Sequence, residues 1–264
     1  MTEQIKTHPK SFEVSKWFGP QTAQVVLPDD ALEALIKMSD KLIEDKNTKS
    51  HGDSLAGVID SELRVYKSDM DKAGVDQLLE SCVKSYVIHC TKAHGFFKET
   101  FNFETFINSA WIVSQYANEY NPLHNHTGCE MSGVIYLKTP NVKGRRNLES
   151  KKGKKEGDGD INFVYNAASQ RNQDVFEKGL VQITPTPGLM LMFPSYLLHT
   201  VYPFIGEGER RCIAFNATYR ISNITKDFTE IIAGNMQGVQ NQYFYMMEKP
   251  NDKSKRTDES RKTS

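Results

Sequence analysis

Residues 111–137 read WIVSQYANEYNPLHNHTGCEMSGVIYL. The stretch divides into two β-prone runs, Trp111–Tyr116 and Ser132–Leu137. β-branched and aromatic residues dominate both runs, and Asn118–Pro122 supplies turn chemistry between them. The connection carries His124 and His126. A second block, residues 188–219, reads GLMLMFPSYLLHTVYPFIGEGERRCIAFNATY and carries His199 and Arg210. Two histidines one residue apart can converge where a chain bends at a strand end, and a third can reach them from a neighbouring strand. The pattern points to a metal site inside a β-barrel.

Outward from these blocks, Ile161–Tyr165, Val181–Ile183, Leu189–Phe193 and Cys212–Tyr219 read as further short strands, with Pro185, Pro187 and Gly188 turning the chain into Leu189. Upstream, Ala23–Leu27 is a short β-prone run closed by Pro28. A helix is expected over about residues 30–45, with Asp30 and Glu33 as a capping pair and Leu32, Leu35, Ile36, Leu42 and Ile43 at helical spacing. Lys46–Ser54 reads as a polar loop. A second helix is expected over about 75–94, where Val75, Leu78, Leu79, Cys82, Val83, Tyr86, Val87 and Cys90 form one apolar stripe. Such a stripe needs a flat apolar partner, most simply a sheet. The fold class is therefore mainly β with flanking helices: a sandwich or jelly-roll core over about residues 105–220, with helices packed outside. His89 and His94, on or beside the second helix, have no partner at ligand spacing and read as surface or packing residues.

The chain has 264 residues with 33 basic and 33 acidic side chains, so its global charge implies neither a nucleic-acid nor a membrane partner. Residues 1–16 read as a flexible N-terminus without the apolar core of a signal peptide, 17–245 as one domain and 246–264 as a charged, disordered tail. No apolar run approaches a bilayer span. Cys82, Cys90, Cys129 and Cys212 lack the spacing of a zinc knuckle, which suits free thiols in a reducing cytoplasm.

Non-haem iron(II) oxygenases hold iron facially with two histidines and a carboxylate. Here His124, His126 and His199 would be the ligands, with His126 where the carboxylate is expected. Glu130, four residues past His126, could restore a carboxylate, and the spacing HxH-x(3)-E is also that of a cupin site. Strand alternation puts Arg210, Cys212, Ala214 and Asn216 on one face and Arg211, Ile213 and Phe215 on the other. The first face is small and polar, so Arg210 should enter the barrel, where a carboxylate fits its fork best. Tyr136 could donate to the same carboxylate. The plainer alternative for Arg210 is a surface salt bridge with Glu207 or Glu209, and Arg211 is the anchor if the register is off by one.

At NPLHNHTGCEMSGVIYL, and at FPSYLLHTVYP followed by ERRCIAFN, the sequence resembles the 2-oxoglutarate/iron(II) oxygenases found in bacteria and tailed phages. These belong to the wider prolyl-hydroxylase-like group, whose core is a double-stranded β-helix of jelly-roll, cupin-like form. The resemblance runs from about Trp17 to Tyr219. It implies an Fe(II) and 2-oxoglutarate-dependent dioxygenase that hydroxylates a substrate and releases succinate and carbon dioxide. His124, His126 and His199 match its iron positions, Arg210 its 2-oxoglutarate anchor and Tyr136 a co-substrate contact. Asn216, at the end of the same strand, is grouped with these co-substrate residues. The sequence departs from the wider group at His126, where Asp is usual. Location in the cytoplasm, or in a host cytoplasm for a phage protein, follows.

The substrate is not encoded in any motif; a small molecule, a protein side chain or a nucleic acid all remain open. Residues 138–160 are rich in Lys and Arg, which suits either a dock for an acidic partner or, preferably, a solvated insertion. Asn235–Tyr245 carries aromatics that would serve a homodimer or pack on their own barrel. The rival classes are a cupin-type dioxygenase that uses Glu130 and no 2-oxoglutarate, and a non-catalytic jelly-roll binding module.

Overall fold

The structure is a computed structural model that describes residues 9–15, 19–94, 102–142, 157–165 and 179–222. The expectations placed on residues 1–8, on residues 143–156 of the basic stretch, on Asn235–Tyr245 and on the charged tail lie outside these residues, whereas Ser11–Ser15 of the expected flexible N-terminus form a strand paired with Thr22–Val26.

Strands β1 (Ser11–Ser15) and β2 (Thr22–Val26) lead into helix α1 (Asp29–Glu44). After a short 3-10 turn at Gly52–Ser54 come β3 (Ser61–Val65), α2 (Lys67–Ala73) and α3 (Asp76–His94). The chain then runs through β4 (Asn102–Gln115), β5 (Asn121–His124), β6 (Met131–Lys138) and β7 (Asn141–Val142). It continues through β8 (Ile161–Val164), β9 (Leu180–Ile183), β10 (Leu189–Pro194), β11 (Leu198–Val201), β12 (Gly206–Glu207) and β13 (Arg210–Ser222). A seven-stranded sheet has the order β1-β2-β10-β6-β13-β4-β3, and a four-stranded sheet has the order β5-β11-β8-β9. Every strand pairing within them is antiparallel.

The large sheet is covered on both faces. On one, Val75 and, from α3, Leu78, Leu79, Cys82, Val83, Tyr86 and Val87, all buried, join a core shared with Ile135, Ile213 and Phe215. On the other, Trp111, Val113, Val134, Tyr136 and Cys212 meet Phe163, Leu197 and Val201 of the small-sheet side. Strand β6 is central to this arrangement, so Met131–Leu137 is buried without alternation. Gly133 in its middle has no room for a side chain: a Cβ there would lie 2.2 Å from the Phe215 ring and 2.9 Å from the Leu191 carbonyl. The expected Pro-Gly turn is present, with Gly188 at φ +84° and the Leu189 amide donating to the Thr186 carbonyl. That left-handed angle is one that glycine adopts freely.

Several expectations are corrected. Helix α1 begins at Asp29 after Pro28, with no side-chain cap; Asp30 Oδ1 instead accepts from the Ala31 amide. Strands β1 and β3 and helix α2 were not anticipated. Asn121 and Pro122 belong to β5 rather than to a turn, so His124 closes a strand and His126 follows it. His89 stacks on Phe12 at 5.3 Å and is a packing residue, as its lack of partners implied.

Candidate metal centre

The two sheets bring the two sequence blocks together. In the small sheet His199 of β11 pairs directly with His124 of β5. His126 lies just past β5, where its amide donates to the Ser195 carbonyl in the turn between β10 and β11. Ring centroids lie 4.2 Å apart for His124 and His199, 5.4 Å for His124 and His126, and 5.1 Å for His126 and His199. One nitrogen from each ring falls within 4.8 Å of the others. Glu130 is not part of this group.

The tautomers are fixed by the backbone. His124 Nδ1 lies 2.7 Å from the Pro122 carbonyl and His199 Nδ1 lies 2.9 Å from the Leu197 carbonyl. A carbonyl only accepts, so each Nδ1 carries the proton and each Nε2 presents a lone pair. Such backbone contacts orient metal-ligating histidines. His126 Nε2 and His199 Nε2 face each other at 3.3 Å. Two imidazole nitrogens on one metal at ~2.1 Å stand about 3.0 to 3.4 Å apart, from right-angled to tetrahedral geometry. The donor set thus fits a shared ion. Burial lowers the pKa of all three rings, that of His126 to about 4 and that of His199 well below its ordinary value, with the neighbouring histidines adding to the effect on His126 and His199.

The histidines line a cavity of about 660 Å³ between the sheets. Arg210, Cys212, Ala214 and Asn216 line it too, as the strand alternation requires, whereas Ile213 and Phe215 face α3. Arg210 is 1% exposed. Its Nε donates to the Gly159 carbonyl at 3.1 Å and its Nη1 to Gln115 Oε1 at 3.2 Å, while its Nη2 is buried with no partner. The guanidinium lies 5.1 Å from the Tyr136 ring centre, and the Tyr136 hydroxyl is also buried without a partner. Two buried donors side by side, both unsatisfied, describe an anion site.

The salt-bridge alternative belongs to Arg211. Its Nε and Nη2 take both Glu209 oxygens at 2.7 Å, and its Nη1 reaches Ser39 and Asp40 on α1. Arg211 therefore faces away from the cavity and is no fallback anchor. Asn216 accepts from Ser132 Oγ at 2.8 Å and neighbours His126. It stands six residues from Arg210, roughly 20 Å along an extended strand, at the His126 end of the same cavity. Glu130, whose Oε2 is buried without a partner, does not line the cavity. The sequence reading missed Gln115 and Gly159, which hold Arg210, and the outer wall made by His51, Glu62 and Trp111. Gln115 pairs with Arg210 across β4 and β13, a signal that appears only once that pairing is known.

The two antiparallel sheets form a jelly-roll core of the double-stranded β-helix kind. Residues 109–216 match the family described as "Putative 2OG-Fe(II) oxygenase". The matched segment contains the three histidines, Arg210 and Tyr136. Among solved structures, a Trichoplax adhaerens prolyl hydroxylase in complex with a hypoxia inducible factor peptide is similar at 15% identity and TM-score 0.49, over 78% of this chain and 83% of that one. A Pseudomonas putida prolyl-4-hydroxylase is similar at 12% identity and TM-score 0.45, over 76% and 93%. HygX from Streptomyces hygroscopicus, with nickel, 2-oxoglutarate and hygromycin B bound, is similar at 12% identity and TM-score 0.44, over 75% and 82%. Comparison with curated protein sequences finds no match. Among the described residues, no helix is long and apolar enough to cross a membrane.

Proposed function

We propose that His124, His126 and His199 hold Fe(II), that Arg210 and Tyr136 anchor the far carboxylate of 2-oxoglutarate, and that the chain hydroxylates a substrate in the same cavity. The observation that carries this reading is the buried, unpartnered Arg210 Nη2 beside the unpartnered Tyr136 hydroxyl, in one cavity with three convergent imidazoles. Iron with 2-oxoglutarate and dioxygen supplies oxidative decarboxylation to succinate and carbon dioxide, with the second oxygen atom going to a substrate C–H bond.

The protein's own contribution is geometric and electrostatic. The Pro122 and Leu197 carbonyls hold two rings in the ligating tautomer. Gln115 and Gly159 hold the guanidinium, so the arginine pays little rotamer entropy when it meets a carboxylate. Phe163 and Phe193, packed against the His199 ring, keep that side of the centre dry. Three neutral histidines leave the full charge of a divalent ion uncompensated, and the two carboxylates of 2-oxoglutarate would neutralise it. Co-substrate binding thus takes over the charge compensation that a carboxylate ligand supplies elsewhere.

The test is anaerobic addition of Fe(II) and then 2-oxoglutarate. A weak visible charge-transfer band that saturates with 2-oxoglutarate, and that is absent in His199→Ala, is the expected result. Succinate formation in His199→Ala at the wild-type rate would refute the ligand set. Iron binding without any band would refute the chelating co-substrate.

A further inference from the structure

The cavity has a second polar pole that neither iron nor 2-oxoglutarate uses. Strand β3 is the edge of the large sheet, and Glu62 and Arg64 pair with Val113 and Trp111 of β4. Glu62 is 4% exposed and lines the cavity. Among the described residues its carboxyl group makes no hydrogen bond and no ion pair. Asn121, at the start of β5 on the opposite sheet, faces the same space. A methyl group placed on Gly57 would meet both Asn121 Oδ1 and Glu62 Oε1, so the two oxygens stand close together beside Gly57. The segment between the sheet edges is tied down on both sides: Val58 bridges to Tyr120, and the Asp60 amide donates to Glu119.

We propose that Glu62 and Asn121 form the anchoring subsite for the substrate and that the group they take is a primary ammonium. This rests on the oxygenase reading of the same cavity. Two oxygens that stand close together from opposite sheets suit a compact donor with three rotatable N–H groups better than a planar fork. Four groups face Glu62. Glu119 adds negative potential and, after burial, is the cause that pushes Glu62 up to about 7. Cys212 is a buried thiol raised above its ordinary pKa, and His51 is neutral because burial lowers it to about 4. Arg64 directs its Nε to the Ser50 carbonyl. Arg64 is the cation that lines this pole, and among the described residues no ion pair joins it to Glu62. The wall from there to the metal centre is aromatic: the His51 and Trp111 rings lie 4.9 Å apart, and the Trp111 and His126 rings 6.0 Å apart. An ammonium held at Glu62 would leave its carbon chain along that wall, towards the three histidines.

The test uses the full chain without iron or 2-oxoglutarate and follows binding of n-butylamine and n-butanol by amide chemical shifts. The amine should bind saturably, and at least tenfold more tightly than the alcohol. Its affinity should rise about tenfold from pH 6 to pH 8, because the ionised fraction of a group titrating near 7 rises by that factor. Glu62→Gln should abolish both the preference and the pH dependence. Equal binding of amine and alcohol, no saturable binding of the amine, or an unchanged preference in Glu62→Gln would each overturn the proposal. The wild-type comparison needs no variant, so misfolding of Glu62→Gln leaves it decisive. Acetylated peptides with a single lysine, run against free lysine, identify the source of the ammonium: binding of both marks recognition of the headgroup alone, and binding of the peptide alone marks a protein side chain. The charge-transfer band with 2-oxoglutarate should persist in Glu62→Gln. Its absence from the wild type would refute the oxygenase reading while leaving the amine comparison standing.

Discussion

Arg210→Lys keeps the positive charge and removes the fork. In the structure Nε and Nη1 of Arg210 are committed to the Gly159 carbonyl and to Gln115 Oε1, and Nη2 is buried without a partner. A lysine ammonium must serve the same internal acceptors and the ligand from one nitrogen. It therefore loses about one hydrogen bond to a charged group, worth roughly 1.5–3 kcal/mol. That loss is a rise of about 10- to 150-fold in the dissociation constant of 2-oxoglutarate. Fe(II) affinity should be unchanged, because the histidines are held by Pro122, Leu197 and Ser195 and not by Arg210. The assay is an anaerobic 2-oxoglutarate titration of the iron-loaded variant, followed by its visible band, with iron measured independently. A dissociation constant within threefold of wild type would refute the anchoring argument. Equal loss of iron and of 2-oxoglutarate would instead mean that Arg210 supports the fold of the site.

Other perturbations separate site from scaffold. Tyr136→Phe removes a buried hydroxyl with no partner, so it should raise the unfolding free energy by about 1 kcal/mol while weakening 2-oxoglutarate several-fold. Changes of the same sign in a melt and a titration would contradict that reasoning. Gly133→Ala drives a methyl group into the Phe215 ring and the Leu191 carbonyl; overpacking of this kind costs about 1–3 kcal/mol, seen as a melting temperature lower by several degrees. Glu62 gives a pH signature. Its folded pKa, about 7, is raised above the ordinary value of 4.5, so the folded state holds a proton that the unfolded chain releases. Stability should therefore fall as pH rises from about 4.5 to 7. Glu62→Gln should melt higher than wild type at pH 8 and equally at pH 4, and a difference that does not depend on pH would count against the buried-carboxyl account.

The sequence was most informative where one physical constraint dominates. Burial on two faces makes β6 a continuous apolar run, and α3 must present a stripe to a sheet, so both could be read directly. The alternation of β13 separated Arg210 from Arg211 because only one face of that strand is apolar. Strand β3 was missed because its pattern, SELRV, mixes charges with apolar residues; those charges point into a cavity, not into solvent. Glu130 looked like a ligand by spacing alone. The chain enters β6 immediately after it, and that turns its side chain away from the cavity.

The same division bears on how the site works. Every residue assigned to iron and co-substrate lies within 109–216, the segment shared with the oxygenase family. Glu62 and His51 come from residues 50–65, outside that segment, on the edge strand and the loop before it. Strand β3 pairs with β4 on one side and with the 49–51 segment on the other, and it touches neither β6 nor β13 in the sheet, so its sequence can change without disturbing the central strands that carry Arg210 and Tyr136. The side chains of β3 and those of the central strands can therefore vary independently. On that argument the substrate of this chain is to be sought first from the residues at 50–65, which lie outside the segment that matches the family.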